Sequence, residues 1–507
     1  MKKIILKNKK YTLEDIYAFS KPNVYDIYLS EDAQDRITKS RKLVDDKSMD
    51  DIPIYGINTG FGKLSNIKIK NSDISKLQKN LILSHAVGVG NYIPGRIVRI
   101  IILLKIISFI KGNSGVSLDV VNHLIAFLNH NCLPLIPSKG SVGASGDLAP
   151  LSHMTLPLLG IGKVKYNTKT VSAKEALKKI NIKPIKLKSK EGLALINGTQ
   201  FSTAYGIYSL KKIHDLFKMS DLISGMSIEA LKGSKKPFLD YVNAVKPYKG
   251  QLDVCKNITS ILDNSEIMDS HENCDRVQDM YSLRCIPQVH GSSRDLLYFA
   301  KEQINIEINS VSDNPLVFID ESEIISAGQF HAEAIAHSLD IAAIAIASIS
   351  NISERRIFSL LKGDYGLPEF LIDNPGLNSG FMMLQVTAAA LASENKNLSN
   401  PASSDSIPTC SDQEDYVSMA PYSGRKLLKS VDNLYVILSI ELLAACQGVD
   451  FRKGLKPAKV LDILYKLVRK NIAFLNHDRL LKDDLDIIVK LMKTEILKKI
   501  EEEVDII

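Results

Sequence analysis

The run Gly140-Ser141-Val142-Gly143-Ala144-Ser145-Gly146-Asp147-Leu148-Ala149-Pro150 holds residues whose types could react with one another. One reading is structural: a glycine-rich loop feeding a helix, with Asp147 as N-cap and Pro150 in the first turn. The other is covalent. If the Gly146 amide nitrogen attacks the Ala144 carbonyl, a five-membered ring closes. Loss of water, the Ser145 hydroxyl included, leaves an exocyclic methylene conjugated to a ring carbonyl, which is a strong electrophile. Gly146 lacks a Cβ, so its nitrogen can fold back in a backbone shape other residues resist. Ala144 adds little bulk at the attacked carbonyl, and Ser145 carries the hydroxyl that leaves. A helix beginning near Asp147 would aim its positive end at such a ring.

Six further stretches carry candidate chemistry. Tyr55 lies in Tyr-Gly-Ile-Asn-Thr-Gly-Phe-Gly, where a turn tyrosine packed on glycines is the plain reading. A phenol acting as a base needs a pKa well below its ordinary value of about 10. Ser84-His85 ends a helix, where a histidine interacts favourably with the dipole. Asn197 sits in Leu-Ile-Asn-Gly-Thr-Gln, a turn or N-cap before a long helix. Gln278, Tyr281 and Arg284 recur at spacings of three, which puts them on one helical face or in one compact loop. Arg284 has the planar fork that grips a carboxylate with two charge-assisted bonds. Phe330 lies in Ser-Ala-Gly-Gln-Phe-His and reads equally as a core aromatic. Glu414 lies in Ile-Pro-Thr-Cys-Ser-Asp-Gln-Glu-Asp-Tyr, and a carboxylate can accept an imidazole N–H and share its proton.

Helical periodicity dominates the elements that must position these residues. Short helices are expected at 12–19, capped by Thr12 with Asp15, and at 31–48. Residues 51–64 form a loop with three glycines. Helices follow near 73–86, 95–112 and 117–130. Residues 163–190 are lysine-rich and read as an edge hairpin or excursion. Long helices are expected at about 199–231, 292–308, 332–361, 381–398 and 425–447, then 456–471 and an exposed charged helix at 484–504. Alanines interleaved with isoleucine over 332–350 let helix backbones approach closely, which marks a deep bundle helix. The expected fold is all-α: a bundle of long near-parallel helices with a loop-rich N-terminal region carrying the reactive loop. The expected division is 1–198 for that region, 199–450 for the central bundle and 451–507 for C-terminal helices packing on it.

Composition narrows the class. With 507 residues and 45% hydrophobic content the chain can build a large core. Its 64 basic and 57 acidic residues are dispersed and often paired along helices, which argues for a solvated surface and against a nucleic-acid face. Cys132, Cys255, Cys274, Cys285, Cys410 and Cys446 are irregularly spaced, with no C-x-x-C pair and no signal peptide, so reduced thiols in the cytoplasm are expected. The most apolar run, 97–110, carries Arg99 and Lys105 and is too short and too charged to cross a membrane, so a buried helix is expected. No histidine spacing indicates a metal site.

Taken together and in order, these stretches resemble the aromatic amino-acid ammonia-lyases, and the likeness to the histidine-specific members runs from end to end. The resemblance implies that Ala144, Ser145 and Gly146 cyclise without help into 4-methylideneimidazol-5-one (MIO), with no metal and no diffusible cofactor. It implies a mobile loop whose Tyr55 reaches the substrate β-carbon, with Glu414 as the rival base. It places His85 and Glu414 on the substrate imidazole. Asn197 stands beside the electrophile, Gln278 joins the substrate site, Tyr281 assists ring formation and orients the amine, and Phe330 walls the electrophile. Arg284 takes the carboxylate.

The implied reaction is elimination of ammonia from L-histidine to give trans-urocanate, the first step of histidine degradation. The implied assembly is a homotetramer whose active sites are each shared among three chains, with no nucleic acid or membrane partner. A phenylalanine or tyrosine lyase, a 2,3-aminomutase using the same electrophile, and a non-catalytic helical homologue are the alternatives. Four positions depart from the family's usual pattern. Ala327 stands where Gly is usual and Gln329 where Asn is usual. Asp412 replaces the usual Asn, and Tyr416 the usual His. Asp412 would bring a negative charge close to the site if it pointed inward.

Overall fold

The computed structural model describes residues 1–49, 52–272 and 276–507. Cys274 and the first residue of the expected 51–64 loop lie outside them. The fold is helical, as expected, with little sheet. The chain forms two compact units. The first comprises residues 1–211, 301–340 and 401–425, and the second 212–300, 341–400 and 426–507.

In the first unit, Thr12 caps Leu13–Phe19 in a reciprocal capping box with Asp15, and Ser30 caps Glu31–Ser48. All strands among the described residues belong to this unit, in small sheets of two or three strands. Lys2–Leu6 and Tyr25–Leu29 pair in parallel, which the helical periodicity did not reveal. The lysine-rich excursion is a hairpin of Lys163–Tyr166 and Lys169–Ser172, followed by the helix Ala173–Lys179. Gly95–Phe109 is buried on every face from Ile97 onward, Arg99 and Lys105 included. Arg99 stays inside because its guanidinium donates to the Ser20 and Leu128 carbonyls at 2.9 and 3.0 Å. Ala332, Ala336 and Ala420 pack together at the start of two long helices, as the small-residue pattern requires.

The second unit is built from helix alone among the described residues. Two sets of its buried charges are paired. Glu441 accepts from Arg356 at 2.5 and 3.0 Å and from Ser227 and Ser353. Asp221 accepts from Arg294, Asn257 and the His290 ring. Removing one partner of such a set strands a buried charge, at a cost of about 3–5 kcal/mol.

Three expectations are corrected. The helix expected from 292 begins earlier, as Ile286–Ile308, because Pro287 fits a helix's first turn. The 484–504 helix is broken at Glu495 into Leu481–Thr494 and Ile496–Ile500, and it is amphipathic: Leu485, Ile488, Leu491 and Met492 are buried. Five helices between 173 and 269 were not foreseen, among them Ala173–Lys179, Glu191–Ile196 and Lys249–Ile261. Glu333–Leu361 is long and apolar enough to cross a membrane by composition, and 72% of its most apolar window is buried inside the fold.

Candidate active site

The reactive run lies in the first unit, held by hydrogen bonds to neighbouring segments. Gly146 has φ +74° and forms a parallel bridge with Gly198, whose φ is +111°. The Asp147 N–H donates to the Gly198 carbonyl at 2.8 Å. A Cβ on Gly146 would lie 2.3 Å from the Gly198 oxygen, so only glycine fits. On the other side, Met419 N–H donates to the Val142 carbonyl at 2.8 Å and Ser418 Oγ to the Gly143 carbonyl at 3.1 Å.

Asp147 occupies the N-cap position of Leu148–Thr155 but its side chain does not cap that helix. Its carboxylate instead accepts from the Ser202 N–H and Oγ, both at 2.9 Å, and so caps the first turn of Gln200–Ala230. Burial pushes the Asp147 carboxyl up to about 6, against the Ser202 bonds and the Lys105 charge, which pull it down.

Ala144 and Ser145 open onto a cavity of about 950 Å³ that Tyr55, His85, Phe330 and Glu414 also line. The Ser145 hydroxyl donates to Glu414 Oε1 at 3.1 Å, and Thr409 Oγ1 donates to Oε2 at 2.7 Å. A backbone pair between Thr409 and Glu414 closes that turn. It forces Cys410, Ser411 and Asp412 into positive φ.

His85 Nδ1 faces the Leu81 carbonyl at 2.9 Å. The Ser84 hydroxyl lies 3.0 Å from the same nitrogen, so Nδ1 donates to the carbonyl or accepts from the hydroxyl, and Nε2 takes the complementary role. Burial raises the Tyr55 phenol above its ordinary pKa, and the charges of Glu414 and Cys410 push the same way against a backbone bond with Gly62. No lysine or arginine is among the described residues lining the cavity, while Glu414 and Asp415 are.

Six of the sequence candidates therefore share one cavity. Gly146 and Asn197 lie off its wall. Asn197 is buried, its Nδ2 donates to the Asn314 carbonyl at 3.3 Å, and its Oδ1 has no partner among the described residues. Gln278, Tyr281 and Arg284 belong to the second unit. Gln278 is in an exposed loop, and Tyr281 and Arg284 are the two ends of the short helix Tyr281–Arg284. The Arg284 guanidinium sits 4.5 Å over the Tyr281 ring, which is 70% exposed. None of the three lines the cavity.

The departures also find places. Asp412 is exposed and off the cavity wall. Tyr416 lines the cavity and stacks on His331, ring centroids 5.9 Å apart. The Ala327 N–H donates to Asn314 Oδ1 at 2.8 Å. Gln329 lines a neighbouring recess with Asn113 and Glu307. Sequence reasoning missed Thr409 and Lys105. The signal for Lys105 was a lone cation in an apolar run, which demands buried acceptors.

The family profile described as "Aromatic amino acid lyase" matches residues 11–470. The curated histidine ammonia-lyase of Desulfotalea psychrophila is 47% identical over 484 residues, covering 95% of this chain and 94% of that one. The crystal structure of histidine ammonia-lyase from Trypanosoma cruzi superposes with a TM-score of 0.91 at 38% identity, covering 99% of this chain and 96% of that one. That of tyrosine aminomutase from Streptomyces globisporus gives 0.94 at 33%, covering 99% of each. By profile, identity and fold, the chain belongs to the aromatic amino acid lyase family.

Proposed function

We propose that this chain is a histidine ammonia-lyase that converts L-histidine to trans-urocanate and ammonia, acts in the cytoplasm and performs the first step of histidine degradation. The carrying observation is that His85 and Glu414, an imidazole and a carboxylate, share one cavity with Ala144 and Ser145. Such a pair answers an imidazole; a phenyl or phenol side chain offers nothing to satisfy both. Histidine ammonia-lyases at 44–49% identity over most of the chain support the same reading.

Enzymes of this family work in general through an MIO group. The residues present fit one: Gly146 is in the backbone conformation and the close approach that only glycine allows, and Ser145 presents its hydroxyl to a carboxylate. When formed, the group would supply an electrophilic methylene that makes the substrate amine a better leaving group. Forming it removes the Ser145 hydroxyl, so Glu414 Oε1 loses that donor and becomes open to the substrate's imidazole.

His85 Nε2 hydrogen-bonds the other nitrogen of the substrate ring, and Phe330 packs beside it. Arg284 pairs with the α-carboxylate, Gln278 lies near it, and Asn197 with Tyr281 orients the amine. Tyr55 takes the β-proton at its phenolic oxygen, with Glu414 as the rival. A raised phenol needs a cation nearby to do this, and no lysine or arginine lines the cavity among the described residues. We therefore assign Arg284, Tyr281 and Gln278 to a neighbouring subunit's site, in a homotetramer with shared active sites.

The test is a substrate panel of L-histidine, L-phenylalanine and L-tyrosine followed by ammonia release and product absorbance. Turnover of histidine alone is expected. The likeness to an aminomutase gives a second reading; a β-amino acid formed with no ammonia would establish it and overturn the first.

A further inference from the structure

Lys105 is 1% exposed in the middle of Gly95–Phe109, among isoleucines and leucines. Its Nζ donates to the Ala194 carbonyl at 3.0 Å and to the Asn197 carbonyl at 2.5 Å. These carbonyls lie at the C-terminal end of Glu191–Ile196, where backbone acceptors have no partner within the helix. The nearby acids are engaged elsewhere. Asp313 pairs with the buried Lys190 at 2.8 Å, and Asp147 is bonded to Ser202. Burial pulls the Lys105 ammonium down to about 7, with Asp313 opposing. An amine kept in so dry a place for two carbonyls has a costly job.

The Asn197 carbonyl belongs to the peptide plane that leads into Gly198. Gly198 in turn bridges Gly146 and accepts the Asp147 N–H. The Ser312 carbonyl crowds the other side of Gly198, where a Cβ would lie 2.2 Å from its oxygen. The chain of contacts from Lys105 therefore ends at the residue whose nitrogen must attack.

We propose that Lys105 is a positioning residue for ring closure: by fixing the Asn197 carbonyl it sets the Asn197–Gly198 peptide, and through it the approach of the Gly146 nitrogen to the Ala144 carbonyl. The inference rests on the reading that Ala144-Ser145-Gly146 cyclises. In that reaction the Gly146 N–H adds across the Ala144 C=O, forming one N–C bond. The resulting hydroxyl leaves as water with the Ser145 amide hydrogen, giving a C=N bond. The Ser145 Oγ then leaves as water with the Ser145 Cα hydrogen, giving the methylidene. No oxidant or co-reactant is needed, and two waters are lost in all.

The experiment follows intact mass against time after cell-free synthesis of the full chain, with far-ultraviolet circular dichroism and thermal unfolding as folding checks. Lys105→Met is compared with Arg99→Met, which removes a buried cation from the same helix but one bonded to Ser20 and Leu128. Lys105→Gln restores one donor and carries the readout if Lys105→Met does not fold. The unsubstituted chain and Arg99→Met are expected to lose both waters at the same rate. Lys105→Met is expected to fold and lose them at least roughly tenfold more slowly, the scale of a small misplacement of reacting atoms, with Lys105→Gln between.

Wild-type rates in the Lys105 variants would overturn the inference, as would equal slowing in Arg99→Met. So would failure of both Lys105 variants to fold while Arg99→Met folds. An unsubstituted chain that keeps its full mass would overturn the cyclisation reading itself, and this inference with it.

Discussion

Glu414 and Ser145 share a hydrogen bond of 3.1 Å across a cavity wall, with Thr409 holding the other carboxylate oxygen at 2.7 Å. The carboxylate is thus oriented before any substrate arrives. Thr409→Val removes a donor to a charged acceptor, a bond worth about 1.5–3 kcal/mol. The expected result is a fall in kcat/KM for L-histidine of about ten- to a hundredfold, with the loop chemistry intact by mass and the melting temperature little changed. Unaltered kinetics would remove Thr409 from the site.

Gly198→Ala puts a Cβ 2.2 Å from the Ser312 carbonyl at a φ of +111°, in the strand of backbone that grips Gly146. We expect a chain that folds with lower stability, by about 1–3 kcal/mol, and that keeps its full intact mass. Complete loss of two waters in this variant would show that the Gly146–Gly198 bridge is not needed for the reaction.

Stability should respond to pH through three buried groups. Burial raises Asp147 to about 6 from 3.8, and Glu229 to about 7 from 4.5. Between those values the folded chain holds a proton the unfolded chain has released, so their contribution is full below about 4 and is lost as pH rises to about 7. Lys105, lowered to about 7 from 10.5, works oppositely: above pH 7 the unfolded chain holds the proton and the folded chain does not, so stability rises with pH. Urea unfolding at a series of pH values checks this. Asp147→Asn should flatten the fall between about pH 4 and 6, and an unchanged slope would contradict the assignment.

Much of this was legible in the sequence, for identifiable reasons. Glu31–Ser48 was read to the residue because Ser30 and the acidic first turn mark its start. The parallel pair of Lys2–Leu6 and Tyr25–Leu29 was not, because each strand is short and its partner lies beyond an intervening helix. Tyr55, His85, Phe330 and Glu414 were named from motifs, and the fold brings them to one cavity. The role of the Asp147 side chain was misread. A local rule made it the cap of its own helix, while Ser202, fifty-five residues away, takes both oxygens. Lys105 was noticed only as a charge too many for a membrane helix, since its acceptors are carbonyls some ninety residues on.

The proposed sharing of sites between subunits has a direct genetic readout. Ser145→Ala lacks the hydroxyl proposed to react, and Arg284→Ala lacks the cation proposed to come from a neighbouring subunit. Each variant alone should lose at least about a hundredfold in kcat/KM. Co-expressed, they should recover part of the activity, because some mixed sites combine an intact loop with an intact Arg284. No recovery in verified mixed oligomers would place each whole site within one chain.

The decisive observation is the near-ultraviolet spectrum of the pure protein before and after borohydride, with ammonia release from L-histidine measured on the same samples. The chain has no tryptophan, so an absorbance shoulder to the red of tyrosine has few other sources. An MIO-dependent histidine ammonia-lyase shows the shoulder and the activity, and borohydride removes both together. No shoulder and no ammonia would mean that Ala144-Ser145-Gly146 is an ordinary loop in this chain.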